Sequence, residues 1–225
     1  MAAGGAATGA TSLPERGPWS VRLLVGAVTA LNDDSGGLLR RPNPVGNLLV
    51  GFEDATGLEL TSAYHFTESV WLRFGYHTFE VDFGTDFFTE DPTGPAPFET
   101  VQFGTARHHM LKAGGFWGER KRFSEYGLGL VVGVPRYSDL RVSPEGAARV
   151  GIAGITAGSG LLYGIEGELA WRLGRSGLLL GFGASYMGGD EAGLRIETTA
   201  SSSFQSGTAG IKPATFAVFV EYRLP

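Results

Sequence analysis

Eight stretches of this chain alternate apolar residues with small or polar ones at a period of two, and no other feature constrains its fold as strongly. Successive side chains of a strand point to opposite faces, whereas a helix repeats every ~3.6 residues. The clearest stretch places Leu161, Tyr163, Ile165, Gly167, Leu169, Trp171 and Leu173 on one face. Leu162, Gly164, Glu166, Glu168, Ala170 and Arg172 take the other. The last stretch sets Phe216, Val218, Val220, Tyr222 and Leu224 against Thr215, Ala217, Phe219, Glu221 and Arg223. The first sets Trp19, Val21, Leu23, Val25 and Ala27 against Ser20, Arg22, Leu24, Gly26 and Val28. The remaining strands are predicted at Thr56–Phe66, Val70–Tyr76, Arg107–Trp117, Tyr126–Val134 and Leu178–Tyr186. In the fourth, Lys112 is assigned inward, which leaves His109 outward, and Asn47–Ala55 is placed beyond the upper edge of the second.

The predicted connections alternate in length. Thr67–Ser69, Gly118–Ser124 and Gly174–Gly177 are short; Asn32–Gly46, His77–Val101, Ser138–Gly158 and Met187–Ile211 are long and rich in Gly, Pro, Asp, Ser and Thr. Short turns at one end and long loops at the other are the layout of a transmembrane barrel. Composition argues against helical spans. The chain holds 36 glycines, and its nearest uncharged stretch, Val150–Ile165, is too short for a span and contains five of them,. One barrel domain is expected over residues 18–225, after a disordered lead-in at 1–17. That lead-in, MAAGGAATGATSLPERG, has neither the charged nor the apolar region of a secretory signal,.

Alternation also suits a soluble barrel, so the second face decides the matter. In water it would be polar at most positions. Here Gly, Ala, Ser and Leu dominate it, with scattered Arg and Glu, and charged residues are only 18% of the chain. Such residues suit the crowded lumen of an eight-stranded barrel. The opposite rows of the clearest strands carry no charge, as a lipid-facing band requires. Trp19, Trp71, Trp117 and Trp171 all fall at the short-turn end, where indole rings would mark a membrane interface,. The expectation is an all-β, eight-stranded antiparallel up-and-down transmembrane barrel in a bacterial outer membrane, with membrane lipid as its first partner.

With the strands placed in this way, GLELTSAYHFTESVWLRFGY, FWGERKRFSEYGLGLVVG and the closing FAVFVEYRLP resemble the outer-membrane protein W family of small eight-stranded barrels. The resemblance spans about Trp19 to Leu224. It implies a narrow lumen associated with small hydrophobic molecules.

Inward charges are predicted in both signs: Arg22, Arg73, Lys112, Arg172 and Arg223 against Glu59, Glu125, Glu166, Glu168 and Glu221. Buried charges must pair, so a neutralising plug is expected. Val28, Met110, Val131, Leu162 and Met187 gather toward the long-loop half. They predict an apolar cup, open to the outside and floored by the plug, that could hold an acyl chain or small hydrophobe.

Other chemistry finds little support. With a net charge of −5 and no basic stripe there is no nucleic-acid surface,. Cysteine is absent, so thiolate metal sites are excluded,. The adjacent His108 and His109 face opposite sides of a strand and cannot jointly chelate, and His65 and His77 lie at opposite ends of the barrel. No metal site and no cofactor are expected. Some eight-stranded barrels modify lipid A with a His-x-Ser pair, for which His65-Phe66-Thr67 is the nearest and imperfect approach, so no enzyme is expected. The functions that remain are a porin-like or hydrophobe-handling barrel, or a structural or adhesive one. The latter would act through its long loops or as an accessory of an envelope assembly, and the acidic–aromatic segment within His77–Val101 is its candidate contact surface for another protein or a glycan.

Overall fold

The structure, a computed structural model, describes residues 17–31, 38–39, 48–49, 51–88, 98–121, 123–158, 160–174, 176–189, 193–202 and 207–225. Eight strands form the barrel: β1 (Trp19–Leu31), β2 (Ala55–His65), β3 (Val70–Phe88), β4 (Phe98–Arg120), β5 (Ser124–Val142), β6 (Leu162–Arg172), β7 (Leu178–Gly189) and β8 (Lys212–Arg223). Each pairs antiparallel with its sequence neighbour. The β1–β8 ladder, from Ser20 opposite Arg223 to Leu31 opposite Lys212, closes the ring. Closure leaves no unpaired sheet edge within the ring, the condition for strands to cross hydrocarbon. No helix among the described residues is long and apolar enough to cross a membrane.

The apolar rows face outward. Leu23, Leu60, Phe74, Leu111, Leu130, Ile165, Phe182 and Val218 are all exposed, whereas Arg22, Glu59, Arg73, Lys112, Val131 and Glu166, on the opposite faces, are buried. Lys112 lies inward and His109 on the outer face, the phase read from the sequence. The lumen closes tightly because small residues admit large ones: a methyl group on Gly129 would sit 2.4 Å from the Phe116 ring.

Three differences from the sequence reading stand out. First, β3, β4 and β5 run to 19, 23 and 19 residues, so most of the stretch assigned to a loop at His77–Val101 continues as a β3–β4 hairpin. From Tyr76 to Phe88 this adds roughly 40 Å of strand. The alternation persists there with its sense reversed. Thr78, Glu80 and Asp82 turn out, while Phe79, Val81 and Phe83 turn in and are 1–3% exposed. Second, the described residues of Ser138–Gly158 and Met187–Ile211 include a helix and strands rather than plain loops. Helix α1 (Pro144–Val150) starts where Ser143 Oγ accepts the Gly146 N–H at 2.8 Å and stops at Gly151, whose φ of 73° suits a residue without Cβ,. Segments Ile152–Ala157, Gly193–Thr198 and Gly207–Gly210 form a three-stranded sheet beside it. Third, Trp71 is not at the interface. Val70 and Leu72 take the outer positions, so Trp71 points into the lumen, 5% exposed, and stacks on Phe116 at 5.8 Å. Trp19, Trp117 and Trp171 do face outward at the short-turn end, with Tyr76, Tyr163 and Tyr186 on the outer face at the other. The proposed lead-in falls almost wholly outside the described residues.

Candidate functional site

The lower lumen is a continuous ion-pair network. Glu166 is its hub. Its Oε1 accepts from Arg22 at 2.6 Å and Arg73 at 2.9 Å, and its Oε2 accepts from Lys112 Nζ at 2.7 Å. Glu59 takes a second Lys112 proton at 2.6 Å. Glu168 accepts from Arg22 at 2.5 Å and from Arg73 at 3.1 Å. Both guanidiniums also lie on aromatic faces, Arg22 over Phe219 and Arg73 over Phe116, each 4.3 Å from the ring centroid. Nearer the short turns, Glu125 binds Arg172 at 2.9 Å and also Arg223, while Glu221 lies 3.7 Å from Arg223 Nε and 3.9 Å from Arg73. All ten charges read from the sequence therefore meet inside the barrel. Residues from β1, β2, β3, β4 and β6 converge on Glu59, Glu166 and Glu168, which no local motif reveals.

Two members were missed. β4 runs on to Arg120, assigned to a turn, and this side chain approaches Glu125 at 3.5 Å and donates to His65 Nδ1 at 2.6 Å. His65 in turn meets Ser20 Oγ at 3.1 Å. The length of β4 and the inward phase of His65 were the signals available.

The upper lumen is apolar but closed. Val28, Met110, Val131, Leu162 and Met187 all point inward at 0–2% exposure, so the open cup is corrected to a packed core. An eight-stranded lumen is narrow enough for side chains to fill it. Met110 and Met187 meet over Gly133, while Phe79, Val81, Phe83, Phe103, Leu194 and Ile196 pack above them.

Through the lower part of this core runs a row of rings: His77, Phe79, His108 and Tyr137, with successive centroids 5.4, 4.5 and 5.2 Å apart. His77 and His108 are 1% and 0% exposed, and His77 Nε2 and both ring nitrogens of His108 have no hydrogen-bond partner. No cluster of three metal-ligating side chains occurs among the described residues.

The β2–β3 ladder is interrupted at the same height. The β2–β3 ladder ends at Gly57 opposite Phe79 and resumes at Phe52 opposite Phe83. Glu53–Thr56 thus faces Glu80–Asp82, bridged by a Glu53 N–H to Asp82 carbonyl bond of 2.9 Å. An open groove of about 350 Å³ lies there, lined by Val25, Thr56, Gly57, Leu58, Thr78, Phe79, Glu80 and Arg107. Gly57 is the thinnest point of this wall, since a methyl group on it would come 2.7 Å from His77 Nε2.

No protein-family model and no curated protein sequence matches the chain. Solved structures do. The chain is similar to the outer membrane protein OprG from Pseudomonas aeruginosa, at TM-score 0.69 and 12% identity over 93% of this chain and 97% of that one. It is similar to the outer membrane protein AlkL in lipid bilayers, at TM-score 0.54 and 15% identity over 100% and 97%. It is also similar to Neisserial surface protein A, at TM-score 0.52 and 10% identity over 93% and 99%. At these identities the likeness is one of fold. Eight closed antiparallel strands, an outward apolar band and these neighbours together give the chain the fold of the small eight-stranded outer-membrane β-barrels.

Proposed function

We propose that this is a non-enzymatic outer-membrane barrel that handles small hydrophobic molecules in its outer half and exchanges them sideways with the membrane rather than along its axis. The carrying observation is the split in the β2–β3 seam. It opens a groove at the top of the lipid band, beside an apolar core and above a plug of paired charges. An apolar solute would have to break that plug to travel on down the lumen, a costly step for buried pairs. Leaving through the wall avoids it. His65, the histidine nearest to an acyl-hydrolase pattern, is bound to Ser20 and Arg120 in the lumen floor rather than turned to lipid, which supports a non-enzymatic role.

The test pairs two measurements on the protein in lipid. In planar bilayers the barrel should pass little current. In liposomes loaded with a hydrophobe-binding dye it should speed the entry of toluene, and Thr56→Trp, which fills the groove from outside, should abolish that gain. Ion conductance with no effect of Thr56→Trp would sink the reading.

A second reading, a structural or adhesive barrel, is favoured by the ordered outer assembly of the β3–β4 hairpin, α1 and the three-stranded sheet. Stoichiometric co-purification of an envelope protein would support it, and a monodisperse monomer in mild detergent would count against it.

A further inference from the structure

We propose that His77 and His108 anchor the head of a small apolar molecule bearing one hydroxyl group, which reaches them through the split between β2 and β3. This rests on the hydrophobe-handling reading above and names the substrate class of the same site.

Three unpartnered ring nitrogens in a buried, largely apolar layer are costly, because each has lost water without gaining a partner,. The neighbouring plug does not supply one: Lys112 already donates to Glu59 and Glu166, and Glu59 Oε1, itself without a hydrogen-bond partner, bonds neither ring. The nitrogens also lie beside the break in the β2–β3 ladder. Gly57 and Phe79 line the outer groove, Gly57 abuts His77 Nε2, and Phe79 stacks on His108 at 4.5 Å. Displacing the Phe79 ring would therefore join the groove to both imidazoles.

The chemistry of the rings selects the head group. A neutral imidazole offers one donor and one acceptor nitrogen, and a hydroxyl offers the complementary pair. A pure hydrocarbon leaves the nitrogens orphaned. A carboxylate or an ammonium would bring an unpaired charge into the apolar layer. The body of the molecule would lie against Val28, Phe79 and the apolar residues above them.

The experiment uses the full chain in lipid nanodiscs with its histidine rings labelled with nitrogen-15. The probes are 4-methylphenol and toluene, which differ by the hydroxyl alone. Saturable movement of the His77 and His108 ring resonances by 4-methylphenol is expected, with an affinity on the order of ten-fold above that for toluene, the worth of about one hydrogen bond. His108→Phe keeps an aromatic ring beside Phe79 and should reduce that ratio toward one. Should this variant fail to fold, the titration of the unaltered protein decides alone. Saturable binding of both probes with equal affinity, or ring resonances that ignore 4-methylphenol while toluene binds, overturns the hydroxyl anchor and leaves the hydrophobe reading standing. Binding of neither overturns both.

Discussion

The lower and upper stretches of β3 obey opposite rules. Between Val70 and Tyr76 the apolar side chains point away from the barrel axis and an arginine points in; between His77 and Phe83 the apolar side chains point in and Thr78, Glu80 and Asp82 point out. Backbone geometry is continuous through the change, since the pairing with β4 holds register from Val70–Trp117 to Phe83–Gly104. What differs is the surroundings: lipid outside the lower stretch, water outside the upper. A side chain's destination is set by the cheaper of two environments, and the same strand passes from one pair to the other within a residue or two.

That comparison can be attacked from several sides. The largest effect is expected in the lower lumen. Glu166→Ala takes the shared carboxylate from Arg22, Arg73 and Lys112 at once and leaves three buried cations to Glu59 and Glu168, so the barrel should lose ~3–5 kcal/mol in denaturant titrations in lipid, with earlier loss of heat-modifiable migration on gels. In the upper lumen, Phe83→Ala leaves a cavity worth ~3 kcal/mol. Here the loss should be local: faster protease cleavage of the outer assembly while the heat-modifiable barrel persists. A global collapse would show that the two stretches are one cooperative unit. On the outer face, Leu130→Arg places a charge near the middle of the apolar band and should cost ~2–4 kcal/mol. Arg136, further along the same face of β5, is already tolerated in water. The smallest effect is expected at Arg107, whose contacts with Glu80 at 2.9 Å and Asp139 at 3.4 Å are solvated on both sides. Arg107→Ala should leave the unfolding midpoint unmoved, and a clear shift there would mean that the lipid band extends higher than Tyr76.

The eight strands and their phase were legible because lipid-facing rows such as Tyr126–Val134 sustain one unbroken alternation. The charged plug was legible for the same reason: once the phase is fixed, every Arg or Glu on the second face must be inside. The upper reaches of β3, β4 and β5 were not, since a reversal of inside and outside looks like a loss of pattern to a reader following the apolar row outward. A one-residue register shift in the β4–β5 ladder, where Asp139 and Leu140 oppose Ala106 alone, adds to the confusion, as does the φ of 52° at Asp139. Trp71 was misplaced by a preference for indole at interfaces that the strand phase overrode. The closure of the upper core depends on Leu194 and Ile196, which lie in a separate small sheet. The unpartnered imidazoles depend on which atoms fail to meet, and no spacing encodes that.

The hub carboxylate has a consequence for how the molecule is made. Its three cations come from positions 144, 93 and 54 residues away in the chain, so they can surround it only when the curled sheet is nearly a ring. A half-rolled intermediate exposed to acyl chains would carry naked guanidiniums and a naked lysine into oil. Rolling up and entering the bilayer must therefore happen together, and neutralisation of Glu166 serves as a latch that rewards only the finished cylinder.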